Sequence, residues 1–517
     1  MRHSALNSVQ IRKHTFLLLV SSVLCLNAWA AESTNTITRA LSLDEAVRLA
    51  LQHNFSIQIE HYTVQIAQFD LAGTYAHYDP NFRFVEGQGY RRSPGAYNPR
   101  YGVTAPASET SEEGFSSGIT GFAPTGLRYN LFADFARTNR IFPQIYRGGY
   151  SFFPSRQEYR TEVGLELAQP LLKNFWIDAP RTQIKVSRLQ LKISKLALER
   201  LLMETVRRVQ ETYYDLFVAR ENAKVQEAAV ALGQRLLEEN KERLKIGVMS
   251  PLDEKQAQAQ IAGARTDLLS AENQITLVED VLKNLLADEY RPWHNVTIEP
   301  SDKLFALPES FDLGESWANG LRLRPDFNQL KEELEKENIF LKFRHNQLFP
   351  SLDLVGSLGW SGLDTNQNAS VEQVSGADNP RWGLGVVLTM PLTLRAERSS
   401  YRAAQAAQKQ ALLRLKQLEQ DIVLQIHDAV KLAQRNYDRV GAARLAREFA
   451  EAALDAEQQK LESGESTTFV VLELQSKLTK ARGAEIQTLA DYNKSLAELY
   501  FREGTTLERS HIVASDK

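Results

Sequence analysis

Two segments near 351–360 and 381–390 alternate apolar residues with small or polar ones. The apolar members are Leu352, Leu354, Leu358, Trp360, Trp382, Leu384, Val386, Leu388 and Met390. This period of two predicts β-strands with one apolar face. Each segment has about the length that a tilted strand needs to cross a bilayer. A soluble sandwich would alternate equally well, but aromatic residues at the strand ends favour a membrane interface.

The first half of the chain contains related strands with longer connections. One run places Leu127, Tyr129, Leu131 and Phe135 opposite Arg128, Asn130 and Asp134, and another contains Tyr159, Val163, Leu165 and Leu167. Segments rich in Pro, Gly, Ser and Tyr at 92–114 and 138–157 predict long loops. A chain that returns to the same side of a membrane needs an even number of strands. The sequence therefore allows four or six strands, and the strand near 126–137 either joins the sheet or stands above it.

Two very long helices are predicted near 181–246 and 396–463, where no proline interrupts the chain. Helices of this size would reach roughly 100 Å. Apolar residues recur in steps of seven, as in Ile184, Leu191, Leu198 and in Leu415, Ile422, Ala429, which favours coiled-coil packing. Each helix is expected to turn at a glycine, Gly247 or Gly464. Ser250 would cap the first return helix, with Thr467 at the matching position in the second.

The order of elements occurs twice. A shift of 270 positions aligns Glu45 with Glu315, and a shift of 217 aligns Gly247 with Gly464. The difference of 53 indicates an insertion in the first copy. Each copy begins with one predicted helix, near 43–78 or 313–347. The predicted organisation is a signal peptide at 1–30, repeat one at 31–290, an equatorial linker at 291–312, repeat two at 313–504 and a C-terminal tail at 505–517.

The first thirty residues resemble a secretory signal peptide, with a basic start, an apolar run and the sequence Ala-Trp-Ala. The apolar run of about 11 residues is too short for a transmembrane anchor. The single cysteine, Cys25, lies in this segment, so the mature chain would have no disulfide, catalytic thiol or Cys-ligated metal. Acylation of Cys25 as in a lipoprotein is disfavoured, because Leu24 precedes it where a small residue is expected.

Charge and motifs argue against nucleic-acid binding and catalysis. The full chain has 61 basic and 64 acidic residues, and cleavage of the signal would remove three basic ones, which leaves 58 against 64. This slightly acidic mature chain offers no support for a nucleic-acid partner, which would normally require a basic patch. The nine histidines show no metal-ligand spacing, and no P-loop, nucleophile elbow or zinc-binding helix motif occurs. The sequence therefore predicts neither an enzyme nor a cofactor.

The long helix pairs carry apolar residues on more than one face, and four short strands cannot enclose water within one chain. Both features predict that several copies assemble.

Taken together, the repeat and its turns resemble the TolC family of outer-membrane efflux and secretion proteins. The residues that carry the resemblance are Leu41–Leu51, Gln169–Leu172, Arg324–Phe327, Leu348–Leu354, Met390–Leu392 and the turns at Gly247 and Gly464. The resemblance implies a mainly α fold with a membrane β part. Three copies would share one β-barrel in outer-membrane lipid and a long coiled-coil tunnel through the periplasm.

The resemblance also implies partners. The tapered end of the tunnel, near Gly247, Ser250, Gly464 and Thr467, would dock a periplasmic adaptor and an inner-membrane transporter of the RND or ABC type. Because adaptor and transporter select the cargo, the resemblance covers both small-molecule efflux and polypeptide secretion.

By the same resemblance, acidic residues near the hairpin tips narrow the periplasmic entrance. The corresponding positions are Asp253 and Gln256 in copy one and Val470 and Glu473 in copy two, so the acidic pattern is matched only at Asp253 and Glu473. In a trimer these would form rings of three carboxylates that favour cations. Alternatively, both only stabilise the first turns of their helices through the helix dipole.

Two other functions compete with an exit duct. A periplasmic adaptor also has long helical hairpins but would lack paired amphipathic strands. A diffusion porin would have many more strands and no long helices.

Overall fold

The computed structural model describes residues 37–100, 102–104, 106–141, 143–146, 149–152, 156–245 and 251–510. The predicted signal peptide lies outside these ranges. The helices are α1 (Leu43–His53), α2 (Phe55–Thr74), α3 (Ala179–Lys245), α4 (Pro251–Leu286), α5 (Leu313–Leu323), α6 (Pro325–Asn346), α7 (Gln367–Ser375), α8 (Arg395–Glu462), α9 (Thr468–Glu503) and α10 (Thr506–Arg509). The strands are β1 (Ile37–Leu41), β2 (Asn81–Ser93), β3 (Tyr97–Asn98), β4 (Val103–Thr104), β5 (Ser108–Phe122), β6 (Arg128–Ile141), β7 (Pro143–Tyr146), β8 (Gly149–Phe152), β9 (Arg156–Pro170), β10 (Val296–Pro300), β11 (Ser351–Asp364) and β12 (Pro380–Thr389).

Each repeat begins with two helices where the sequence predicted one. Asn54 separates α1 from α2 because its backbone is extended, and its side chain caps α2 by accepting from the Ser56 amide at 2.9 Å. In repeat two, Arg324 precedes Pro325 and takes the extended conformation that a following proline favours. The prediction of one continuous helix per copy is therefore wrong, because a capping residue or a proline interrupts each.

The helices are arranged side by side, and two of them run the full length of the arrangement. α3 has 67 residues and α8 has 68, which agrees with the predicted long helices. Near the sheet the packing order is α2, α3, α6, α8, and farther from it the order is α4, α3, α9, α8. One edge is thus formed by α2 and α4, and the opposite edge by α8.

Among the described residues, six strands form one antiparallel sheet in the order β12–β11–β9–β6–β5–β2. The extra strand of the first copy, β6, pairs with β9 on one side and with β5 on the other. It therefore joins the sheet and does not stand above it. The predicted loops at 92–114 and 138–157 are shorter than expected, because β5 and β9 extend into them and two small hairpins, β3–β4 and β7–β8, form within them.

A small parallel sheet ties the start of repeat one to the predicted linker. β1 pairs with β10 from Ile37–Val296 to Leu41–Pro300. This contact was not predicted, since each strand has only five residues. The predicted C-terminal tail begins with α10, in which Thr506 and Leu507 are buried.

Candidate functional site

One face of the six-stranded sheet is apolar. A row of paired residues crosses every strand and consists of Phe82, Ile119, Leu131, Leu165, Leu358 and Trp382. Above it the rings of Phe84, Phe115 and Phe135 stack at centroid distances of 6.0 and 5.4 Å. Large apolar side chains that stay at least partly exposed in a band across one sheet face are typical of a surface that contacts lipid.

The opposite face is mainly polar. Its matching row consists of Asn81, Thr120, Asn130, Glu166, Ser357 and Gly383. Charges of both signs occur on it: Arg160 donates to Glu162 at 3.0 Å, and Arg381 lies 3.9 Å from the same carboxylate. This face can be wetted, as the lining of an aqueous channel must be.

At the hairpin tip of repeat two, α8 ends in a glycine turn. Gly464 has a φ of +80°, and the amide of Glu465 donates to the Lys460 carbonyl at 2.8 Å. This is the hydrogen bond that closes a Schellman motif. Thr467 occupies the position before α9, but its side chain makes no capping hydrogen bond.

The two candidate entrance residues of repeat two lie on the first turns of α9. Val470 is exposed, and the Glu473 carboxylate is half exposed and pairs with the Lys477 ammonium at 2.7 Å. The structure therefore adds a cation beside the predicted acidic position. Sequence reasoning missed Lys477, although its i, i+4 spacing from Glu473 is a recognisable signal.

The tip of repeat one is described only in part. Gly247 and Ser250 lie outside the described residues. Asp253 is in the first turn of α4, but its side chain is outside the described part. Gln256 is half-buried one turn later.

The two hairpins pack against each other near these tips. Thr468 donates to the amide oxygen of Asn240 at 3.4 Å, and Gln475 donates to the Ala229 carbonyl at 3.1 Å. Asn240 is 1% exposed. Buried polar residues in a helix seam fix the register of the packed helices, so these contacts set the second tip at a defined height beside α3.

A second set of polar contacts lies at the junction of α5 and α6, beside α8 and the end of α9. Arg324 is 6% exposed and binds the Asp326 carboxylate through two hydrogen bonds of 3.0 and 2.6 Å. Burial works to raise the pKa of Asp326, but the hydrogen bonds and charge of Arg324 outweigh it and hold that pKa below its ordinary value. The motif Arg-Pro-Asp-Phe, which carries part of the family resemblance, is therefore a structural ion pair.

The Tyr213 hydroxyl anchors the small parallel sheet formed by β1 and β10. It donates to the Leu41 carbonyl at 2.9 Å and lies 3.0 Å from an Asp302 carboxylate oxygen. Burial raises the pKa of Tyr213, so its proton stays in place at neutral pH.

Within the described ranges, no cluster of His, Cys, Asp or Glu has a geometry suited to a metal ion. No helix in the same ranges is long and apolar enough to span a membrane.

Comparison with known proteins agrees with this architecture. Residues 144–288 and 320–505 match the family model described as outer membrane efflux protein. The chain is 25% identical over 386 residues to Outer membrane protein TolC of Vibrio cholerae, which covers 71% of this chain and 83% of that protein.

Solved channels have the same fold. The outer-membrane channel OprN superimposes with a TM-score of 0.64 at 16% identity over 90% of both chains. The CmeC outer membrane channel of Campylobacter jejuni gives 0.63 at 17% identity over 90% of this chain and 86% of that one.

The resemblance drawn from the sequence is thereby confirmed, and the adaptor alternative finds no support. Channels of this family work in tripartite systems, so the partners are an adaptor and a transporter. The chain belongs to the outer membrane efflux protein family and is an outer-membrane efflux channel, not an enzyme.

Proposed function

We propose that three copies of this chain form one closed ring, with a shared barrel in the outer membrane and a continuous helical tunnel in the periplasm. The observation that carries this proposal is that each chain has two different, unpaired edges. The sheet ends in β2 on one side and β12 on the other, and the helices end in α2 with α4 and in α8.

The α2 edge carries an apolar stripe. Phe55, Ile59, Tyr62, Ile66 and Phe69 recur in alternating steps of four and three, and each is between 56% and 73% exposed. Such spacing is that of a coiled-coil seam that lacks its partner helix. A seam of this length in a folded chain supports a contact with another helix.

The α8 edge offers a matching surface. Small residues Ala403 and Ala406 are exposed there, followed by Leu413 and Leu424 at 65% and 59% exposure. Aromatic side chains of one copy would pack against these smaller side chains of the next. Because the two edges differ, the contact is head-to-tail, and repeated head-to-tail contacts produce a ring when the rotation closes.

Strand directions support the same ring. β2 and β12 run in opposite directions within the sheet, since the six strands alternate. β2 of one copy can therefore pair with β12 of the next in antiparallel fashion, which leaves no open edge.

At the periplasmic end, the hairpin tips near Gly247, Ser250, Gly464 and Thr467 would dock the adaptor, and the transporter would be of the RND or ABC type. Asp253 and Glu473 would form carboxylate rings at the entrance, with Gln256 and Val470 as their uncharged counterparts. Lys477 would neutralise part of the charge of the Glu473 ring.

The assembly is tested by the mass of the purified protein in detergent. We expect three chains per particle, and Ile59→Lys should abolish the trimer by placing a charge in the α2 stripe. His61→Lys is the matched control, because His61 is exposed on another face of the same helix. A monomeric wild type, or an Ile59→Lys protein that stays trimeric, would contradict the proposed ring.

The entrance is tested by conductance in a planar bilayer. Asp253→Ala and Glu473→Ala should each reduce the cation preference. Glu272→Ala removes an exposed charge from α4 about 28 Å farther along the helix and should have little effect. Equal behaviour of all three variants would leave the two acidic residues with a helix-capping role only.

A further inference from the structure

The β5–β6 hairpin has no counterpart in repeat two. Repeat two contributes β11 and β12 to the sheet, whereas repeat one contributes β2 and β9 with the hairpin between them. We propose that this hairpin is part of the membrane wall, so that three chains of six strands give a barrel of 18 strands with a bore as wide as the helical tunnel. This inference rests on the proposed homotrimer.

The packing of the hairpin is that of a wall strand. Both faces of the sheet continue across it, with Ile119 and Leu131 in the apolar row and Thr120 and Asn130 in the polar row. The Phe132 ring on β6 covers Gly164 on β9, where an added Cβ would lie 2.7 Å from the ring. An external loop would need neither the continuous faces nor this close fit.

The register of the sheet gives the tilt of its strands. Asn81, at the start of β2, lies in the same paired row as Gly383, whereas β12 continues six residues farther to Thr389. Six residues correspond to about 20 Å along a strand, and the five spacings between β2 and β12 to about 24 Å across the sheet. If the ends of the outer strands lie at one height, the tilt is about 40°, within the range of closed barrels.

This tilt sets the width that each chain contributes to the wall. Six strands at about 4.8 Å, tilted by about 40°, occupy about 38 Å of circumference. The four helices α2, α3, α6 and α8 occupy about 32–40 Å at ordinary helix spacings. Without the hairpin, four strands at the same tilt would occupy only about 25 Å, so the hairpin matches the barrel to the tunnel.

A barrel of this size has a functional consequence. Barrels of about 16–18 strands enclose an aqueous channel, whereas about 8 strands are filled by side chains. The polar face described above would line the bore. The strand wall would therefore admit cargo as large as the tunnel delivers, and selection by size would occur at the periplasmic entrance.

The test places single cysteines on the sheet and attaches an environment-sensitive fluorophore to each. Positions Ile119→Cys and Leu131→Cys probe the hairpin, Leu358→Cys on β11 is the reference, and Asn130→Cys probes the opposite face. The protein is reconstituted in vesicles with and without brominated lipid, which quenches fluorophores inside the bilayer.

We expect Ile119→Cys and Leu131→Cys to be quenched by the brominated lipid, as Leu358→Cys is, while Asn130→Cys reacts with a water-soluble thiol reagent and is not quenched. Quenching at Leu358→Cys without quenching at the two hairpin positions would overturn the inference and leave the proposed channel intact. Absence of quenching at all of them would contradict the membrane barrel itself.

A second measurement addresses the bore. Deletion of residues 108–141 removes two strands and still joins β2 to a strand of opposite direction, β9. Because barrel diameter grows about linearly with strand number, the largest polyethylene glycol that enters from the outer side should shrink to about two-thirds in radius. An unchanged size limit in a deletion variant that remains trimeric would refute the proposed wall strands.

Discussion

Phe82 in β2 and Trp382 in β12 lie at the two ends of one row of apolar side chains that crosses all six strands of the sheet. Their side chains are 70% and 76% exposed in the single chain. In the proposed barrel, these positions would face the hydrocarbon interior or its border. A charge can therefore be placed at a position in this row or at its neighbour on the opposite face of the same strand, and the two losses of stability can be compared.

The first prediction concerns Leu131, in the middle of this row. Leu131→Arg should destabilise the inserted protein by about 2–4 kcal/mol if it lies near the bilayer midplane, because the charge must enter hydrocarbon. The neighbouring change Asn130→Arg, on the polar face, should cost much less. The fraction of folded protein recovered from outer membranes measures both. Equal losses would show that Leu131 does not face lipid.

The second prediction compares two glycines with the same φ of +80°, Gly464 and Gly504. A Cβ at Gly464 meets nothing within 4 Å, whereas at Gly504 it would lie 2.9 Å from the Arg324 amide nitrogen. Gly464→Ala should lower the stability of the protein by about 1–2 kcal/mol, because alanine is strained in the left-handed conformation. Gly504→Ala should lose this amount and, because the added Cβ is overpacked, about 1–3 kcal/mol more. Similar melting temperatures for the two variants would contradict this difference.

Much of the fold followed from periodicity. The period of two identified the apolar face through residues such as Leu165 and Leu358, and the heptad spacing identified α3 and α8. The pairing of the inserted strands could not be predicted from the sequence. Alternation fixes which face of the sheet Leu131 occupies but not which strand lies beside it. The β1–β10 contact was missed because two five-residue strands carry little periodic signal.

The candidate entrance followed from the family resemblance and not from geometry, so Asp253 and Glu473 remain predictions. Lys477 shows what sequence reasoning omitted, since an acidic position was considered without its neighbour one turn away. The Arg324–Asp326 pair was noticed as a motif, but its burial could not be derived from four residues.

The third prediction concerns the pH dependence contributed by this pair. Because the pKa of Asp326 is lowered in the folded state, the unfolded chain binds its proton more tightly. The stabilisation is therefore present above the ordinary value of 3.8 and is lost as the pH falls through the lower folded pKa.

Asp326→Asn should thus be less stable than the wild type at neutral pH, by about 1–3 kcal/mol, because the buried Arg324 loses its charged acceptor. The difference should shrink as the pH is lowered below about 4. Thermal unfolding followed by circular dichroism at several pH values measures it. A difference in stability between the wild type and Asp326→Asn that grows as the pH falls would contradict this mechanism.

The last prediction concerns the buried charges that join α3 to α4. Glu279 accepts a hydrogen bond from Arg220 at 2.7 Å and forms an ion pair with Lys283 at 2.9 Å, and the side chains of Glu279 and Lys283 are 9% and 5% exposed. Glu279→Gln should destabilise the protein by about 3–5 kcal/mol, since both cations stay buried without a carboxylate. Glu272→Gln, at an exposed position of α4, should change stability little.

A triple variant separates the value of the charges from the cost of leaving them unpaired. Replacing Arg220, Glu279 and Lys283 together by Met, Leu and Met removes every member of the cluster and keeps similar volume. Buried ion pairs are often no more stabilising than well-packed apolar residues, so the triple variant should melt above Glu279→Gln and close to the wild type. A triple variant as unstable as Glu279→Gln would mean that the cluster itself, and not the avoidance of unpaired cations, holds α3 against α4.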